Sequence, residues 1–300
     1  MMRFIATRGR QVYERVMSVS FDDCLNELVR PGGPAVNAIY QRWLSHPARK
    51  EVHTFVQKFR HDYLFDVTQE EVRDVARRTC HALGTVKREE NHSEVRDFDT
   101  PFAHQYLFHR YLESYRKVPT WQEFKEWMIG EGEPYYLRPF VEKFGLDLAN
   151  PRRPGTDDRI YWRALRWRLG IFYYSALREL DLFAALRERH KLPLRYHIFA
   201  DVVLRSDFWC GDTVVCLYIS NQFFRAADEG RKLHIDQVFR AGGSDLRLQE
   251  AELVAENRFG EVWFVRDAVA NNLAERLKVL LSNPLIGWPA GRGSSARRFR

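Results

Sequence analysis

The sequence contains no run of about 18 consecutive apolar residues, the length that crosses a bilayer as a helix, so no membrane span is expected. Its N-terminal "MMRFIATRGRQVYERV" has no apolar core followed by small residues, so no secretory signal is expected there. Cysteine is scarce. Cys24, Cys80, Cys210 and Cys216 are scattered and none forms a C-x-x-C pair. This argues against a disulfide framework or a zinc knuckle and fits a reducing, cytoplasmic setting. "RPGGPA" is not followed by Lys-Ser or Lys-Thr, so it reads as a loop rather than a phosphate cradle, and no G-x-S-x-G is present. His104 and His109 are five residues apart, which puts them on different faces of a helix and argues against a shared metal. Acid is in the minority, with 40 Asp and Glu against 47 Lys and Arg, a net charge of +7. A basic surface favours polyanions, because each phosphate contact releases counterions. Nucleic acid is therefore the expected partner, with a merely solvated basic surface or an acidic protein partner as the alternatives.

What is present is the composition of a packed globular chain, 45% apolar and 29% charged over 300 residues. Residues 1 to about 190 carry mostly helical signals. Ile39 and Trp43, then Val52, Phe55, Val56 and Phe59, recur at helical spacing, and Pro47 separates the two helices. Thr68 with Glu71, and Thr120 with Glu123, have the spacing of capping boxes and place helix starts at about 69 and 121. "DLANPRRPGTDDR" is rich in turn formers and is read as a boundary near residue 155. A long helix is expected from about Asp158 to His190. From Leu194 the period changes to two. Strands are expected at 195–207 and 213–220 around a Gly211 turn, and a second hairpin turning at Phe259-Gly260. A helix capped by Asp267 follows, then a tail ending "GRGSSARRFR", with four arginines and no acid. The expected architecture is α+β. A helical domain spans 1–155, a mixed α/β domain with a small sheet spans 156–284, and a flexible basic tail spans 285–300.

Two acids stand out against this pattern. Along the long helix, Leu165, Phe172, Glu179 and Phe183 fall within about 40° of one line. Glu179 thus puts a charge on a stripe that otherwise faces the core, where it needs a partner, a cavity or an edge open to solvent. As a strand, 195–207 would put Arg195, His197, Phe199, Asp201, Val203, Arg205 and Asp207 on one half-polar face. Such a face is either solvated, with cross-strand ion pairs, or lines a site.

A helix with an inward Glu, a strand ending in Asp and a tight hairpin into an apolar strand resemble, over about 160–221, the PD-(D/E)XK or restriction-endonuclease-like nucleases. The resemblance implies a Mg²⁺ site and DNA cleavage, as used in bacterial defence or mobile-element systems. Glu179 and Asp207 would be catalytic metal ligands, Asp212 a further metal ligand and Lys232 the catalytic cation. Asp236 is an alternative source of acid. The sequence departs from the family pattern at the second strand, "TVVCLYIS", which has no acid and no lysine at the E-x-K spacing. A degenerate, non-catalytic subunit that binds nucleic acid or partner proteins is the alternative.

Overall fold

The computed structural model describes residues 19–46, 50–84, 93–96, 98, 100, 102–132, 137–146, 158–218, 239, 243–253, 255–283 and 285. Lys232, Asp236, Pro47, the 147–157 boundary and the tail beyond Leu285 lie outside them.

The two capping signals mark helix starts. Thr68 accepts the backbone N–H of Glu71 and opens a helix at Gln69–Arg78. The Glu71 carboxylate, however, does not turn back to the cap. It accepts from Tyr63 Oη and the Val118 N–H, so half the box forms. Thr120 and Glu123 form the complete reciprocal box at Trp121–Ile129. In chain order the helices are α1 (Phe21–Cys24, running into a π-helical turn), α2 (Gly33–Ser45), α3 (Lys50–Lys58), α4 (Gln69–Arg78), α5 (Ser93–Arg96), α6 (His104–Tyr115), α7 (Trp121–Ile129), α8 (Leu137–Phe144), α9 (Asp158–His190), α10 (Ile198–Val202) and, after the strands, α11 (Asp267–Ser282).

Helix α9 is the axis of the fold. It packs against α4, α5, α6, α11 and the last strand. From Leu180 to Leu186 every residue is buried, as for a helix covered on all sides. The charged member of that run, Asp181, is compensated by Arg73 at 2.8 Å and by the Gln69 side-chain amide at 3.1 Å. One apolar cluster runs from Val19 through α9 to Leu277, so the helices before α9 share a core with the sheet and α11.

The strands are β1 (Phe208–Cys210), β2 (Thr213–Tyr218), β3 (Arg247–Glu252), β4 (Ala255–Phe259) and β5 (Val262–Val265). β1 pairs antiparallel with β2, and β2 parallel with β3, giving a small mixed sheet; β4 and β5 form a separate hairpin. The protein is thus α+β. Both expected hairpin turns are present, although the first hairpin opens on Phe208–Cys210 and not on 195–207. The first turns at Gly211-Asp212, and the second one residue later than expected, at Gly260-Glu261.

The strand expected at 195–207 is not there. Residues Ile198–Val202 form α10 instead. His197 caps it: its backbone is extended (φ −154°, ψ 138°) and its Nδ1 accepts the Phe199 N–H at 3.1 Å. Ile198, Phe199 and Ala200 are consecutive and all fully buried, which a two-faced strand against solvent cannot achieve. Arg205 then adopts φ 64°, ending any alternation. The half-polar strand face therefore does not exist, and only Phe208–Cys210, buried throughout, is strand. Asp267 is also not a cap. It lies in the first turn of α11 and receives Arg189 and Arg73.

Gly260 ties the second hairpin to α4. Its φ is +57°, and a Cβ there would stand 2.4 Å from the Ala76 carbonyl oxygen. Gly260→Ala is expected to cost at least about 2 kcal/mol, from the left-handed backbone and the backbone collision. Urea denaturation would measure it, and a loss below about 0.5 kcal/mol would contradict this packing.

Candidate acidic site

Three elements bring polar groups together where α9 passes α6. Glu179 lies on α9, Gln105 and His109 on α6, and Tyr196 and Asp201 on the segment that leaves α9 and enters α10. The Gln105 side-chain nitrogen donates to Glu179 Oε2 at 2.8 Å and lies 3.4 Å from Asp201 Oδ2. Tyr196 Oη donates to the same Asp201 oxygen at 2.8 Å and lies 2.7 Å from His109 Nε2. With its proton committed to Asp201, the phenol accepts from His109 Nε2–H, which sets the tautomer of that imidazole.

The electrostatics agree with this convergence. Burial pushes the Tyr196 phenol well above its ordinary range, and the negative charges of Asp201, Glu179 and Asp207 push it further. All three acids therefore act on one buried hydroxyl, which stays protonated and remains a donor. His109 is held neutral, chiefly by burial and then by neighbouring His61.

The residues singled out by sequence divide in this geometry. Glu179 is half-buried at the edge of its stripe. Leu165 and Phe183 are core, whereas Phe172 is 36% exposed and stacks on the His104 ring at 4.1 Å. Asp207 is also half-buried and precedes β1. Its N–H reaches the Val215 carbonyl, and its carboxylate accepts the Leu217 N–H, so it pins the start of β1 to β2.

Asp212 stands at the other end of β1 and is 2% exposed. It accepts from Thr213 Oγ1, from Arg247 Nε and Nη2 and from the Leu285 N–H. Arg247 continues to the Leu280 and Asn283 carbonyls at the end of α11. Asp212 thus anchors the hairpin turn to β3 and α11, apart from the Glu179 cluster. Lys232 lies outside the described residues. Of the cysteines, Cys24 and Cys210 are buried, Cys216 is half-buried, Cys80 is exposed, and all four are free.

Asp201 is the acid that joins Glu179. Sequence reading placed it on a strand face, and recognising His197 as a helix cap would have moved it to a short helix. Gln105 and Tyr196 carry no comparable sequence signal.

The cluster can be tested against the divalent ion that the sequence resemblance implies. Glu179 Oε2 and Asp201 Oδ2 both face one nitrogen, so two hard, anionic oxygens converge on a point. Mg²⁺ is commonly held by one or two carboxylates, with water and phosphate completing its shell. The pair fits that chemistry in type, but the point the two oxygens share is filled by Gln105 Nε2, which an ion would have to displace. The pair falls short of an all-protein cage, since among the described residues no group of three His, Cys, Asp or Glu is placed to hold an ion. Among the described residues, no helix is long and apolar enough to cross a membrane. Comparison with protein-family models, with curated proteins and with solved structures finds no match for this chain.

Proposed function

We propose that the protein is a Mg²⁺-dependent phosphodiester hydrolase of the restriction-endonuclease-like kind, acting on DNA in the cytoplasm as a subunit of a bacterial defence or mobile-element system. The observation that carries this reading is the convergence of Glu179 and Asp201 on a single point beside a small mixed sheet. Glu179 and Asp201 would hold the ion in place of the Gln105 amide, Asp207 adds negative potential from the start of β1, and Lys232 is the candidate cation that positions water. When bound, Mg²⁺ supplies charge neutralisation at a phosphate oxygen and a more acidic water. Gln105 keeps two carboxylates side by side by donating between them, which offsets their repulsion. Tyr196 orients Asp201 by a hydrogen bond that its raised pKa preserves, and His109 orients Tyr196.

A second reading has its own support. Glu179, Asp201 and Asp207 each already accept a hydrogen bond from a protein donor. A non-catalytic subunit that binds nucleic acid or a partner protein needs nothing more of them.

Cleavage of supercoiled, linear and single-stranded DNA, with Mg²⁺ and with chelator, decides between the two. The hydrolase reading expects Mg²⁺-dependent cleavage that falls about 100-fold or more in Asp201→Asn and Glu179→Gln, beyond the 10–100-fold typical of supporting groups around a metal. It also expects Mg²⁺ to raise the melting temperature of the wild type and not of the variants. No cleavage and no Mg²⁺ shift in the wild type would leave the binding reading.

A further inference from the structure

Helix α3 and the start of α6 border an open, shallow cleft of about 870 Å³. Phe55, Phe59 and Phe102 line it together with Lys50, Lys58 and Arg110, against one acid among the described residues, Glu51. The rings are organised. Phe102 is 5% exposed and meets Phe55 edge-on at 5.7 Å, while Phe55 and Phe59 are half-buried, with centroids 5.0 Å apart. The Arg110 guanidinium lies 6.0 Å from the Phe55 ring centre. Lys50 and Lys58 are both exposed and mark the two ends of α3, about 12 Å apart along its axis.

Cations along a groove with aromatic faces between them are what a single nucleic-acid strand requires: charge for phosphates and rings for bases. An acidic peptide would use the charge and leave the rings unmatched. We propose that this cleft binds a single-stranded segment of nucleic acid, its phosphates on Lys50, Lys58 and Arg110 and its bases against Phe55 and Phe59. The proposal rests on the nucleic-acid partner of the function above and adds a binding surface to it. Helix α6 connects the two places. Tyr106 reaches the cleft ring Phe55 at 6.1 Å, and on the adjacent stripe of the same helix Gln105 and His109 belong to the acidic site.

The test measures binding of a fluorescein-labelled oligo-dT of about a dozen nucleotides to the full chain by anisotropy, in chelator so that cleavage plays no part. Lys50→Gln/Lys58→Gln is compared with wild type across a salt series, after equal melting temperatures establish that both are folded. Each lost contact is expected to lower the logarithmic salt slope by about 0.7 and affinity by about fivefold at about 0.1 M salt. An abasic strand of equal length is expected to bind the wild type at least about fivefold more weakly, because stacking is lost. An unchanged affinity and slope in the lysine variant overturns the proposal. So does equal binding of the abasic strand with displacement by polyglutamate, which would mark a docking site for acidic chains. Normal oligo-dT binding with no Mg²⁺-dependent cleavage removes the hydrolase and keeps the cleft; cleavage that is insensitive to the lysines does the reverse.

Discussion

Lowering the pH from 7 to about 4 is expected to unfold this protein, because its centre holds neutral histidines that cannot take up protons in place. His61 and His197 are fully buried, and the His61 ring lies 5.0 Å from His109 and 5.7 Å from His197. Burial pulls both His61 and His197 down to about 3. Their hydrogen bonds require the neutral form. His61 Nε2 accepts the Ile198 N–H and His197 Nδ1 accepts the Phe199 N–H, so protonation at either nitrogen would set a donor against a donor.

The surrounding charges only partly relieve this. Glu113 lies 3.5 Å from His61 Nδ1, but it also accepts the backbone N–H groups of Asp62, Tyr63 and Leu64. Asp23 favours a charged His197, whereas Arg60 and His61 oppose it.

The sign follows from linkage. Both groups have folded values below the ordinary value of 6.5, so the unfolded chain binds protons first as pH falls. Their stabilisation is complete above about pH 7 and is lost progressively towards pH 3. At pH 4 the loss is about 3 kcal/mol for each, together a large part of the 5–15 kcal/mol that holds an ordinary domain. Tryptophan fluorescence and circular dichroism between pH 7 and 3.5 should give a cooperative transition with its midpoint between about 4 and 6. His197→Asn keeps a side-chain acceptor at the cap and removes one titrating group. Its stability should depend less steeply on pH. Native fluorescence and a cooperative melt persisting at pH 4 would show that the histidines are not held as described.

Asp212→Ala is expected to destabilise the protein by about 3–5 kcal/mol, the range for removing one partner of a buried ion pair. Alanine would strip Arg247 of its carboxylate and leave the Leu285 N–H without its acceptor. The link from the Gly211-Asp212 turn to α11 would weaken at both ends. Asp212→Asn keeps an oxygen for the turn but not the charge for Arg247, and should fall between. Arg247→Met is expected to be costly alone, and less than additive with Asp212→Asn, since the second change then removes no surviving pair. Urea denaturation of the cycle measures the coupling. The sequence resemblance made Asp212 a metal ligand, and that role has the opposite signature: a small stability change with a lost response to Mg²⁺. A stable Asp212→Ala protein insensitive to Mg²⁺ would restore it to the metal site.

Local rules were sufficient wherever an element depends on its own residues. The Thr120 and Glu123 box, the span Asp158–His190, the two hairpin turns and the helix after Asp267 follow from side-chain chemistry within a few residues, and all are present. Glu179 was legible as anomalous, because a charge on an apolar stripe breaks the pattern whatever packs against it. The segment after Leu194 defeated the same reasoning. Its alternation suits a strand, but a buried His197 cap and a core that accepts three consecutive apolar residues make it a helix.

By itself, the sequence determined the α+β class, the helical spans that cap themselves, the hairpin turns and the unusual position of Glu179. These depend on spacing, capping and turn chemistry, which act over a few residues. The tertiary structure alone decided that Asp201, not Asp212, stands beside Glu179, that Gln105 bridges them, and that Phe102 joins Phe55 across the α3 cleft. Those partners are separated by 22 to 96 positions along the chain. Only when α6, α9 and the α10 segment pack on one core do their side chains meet.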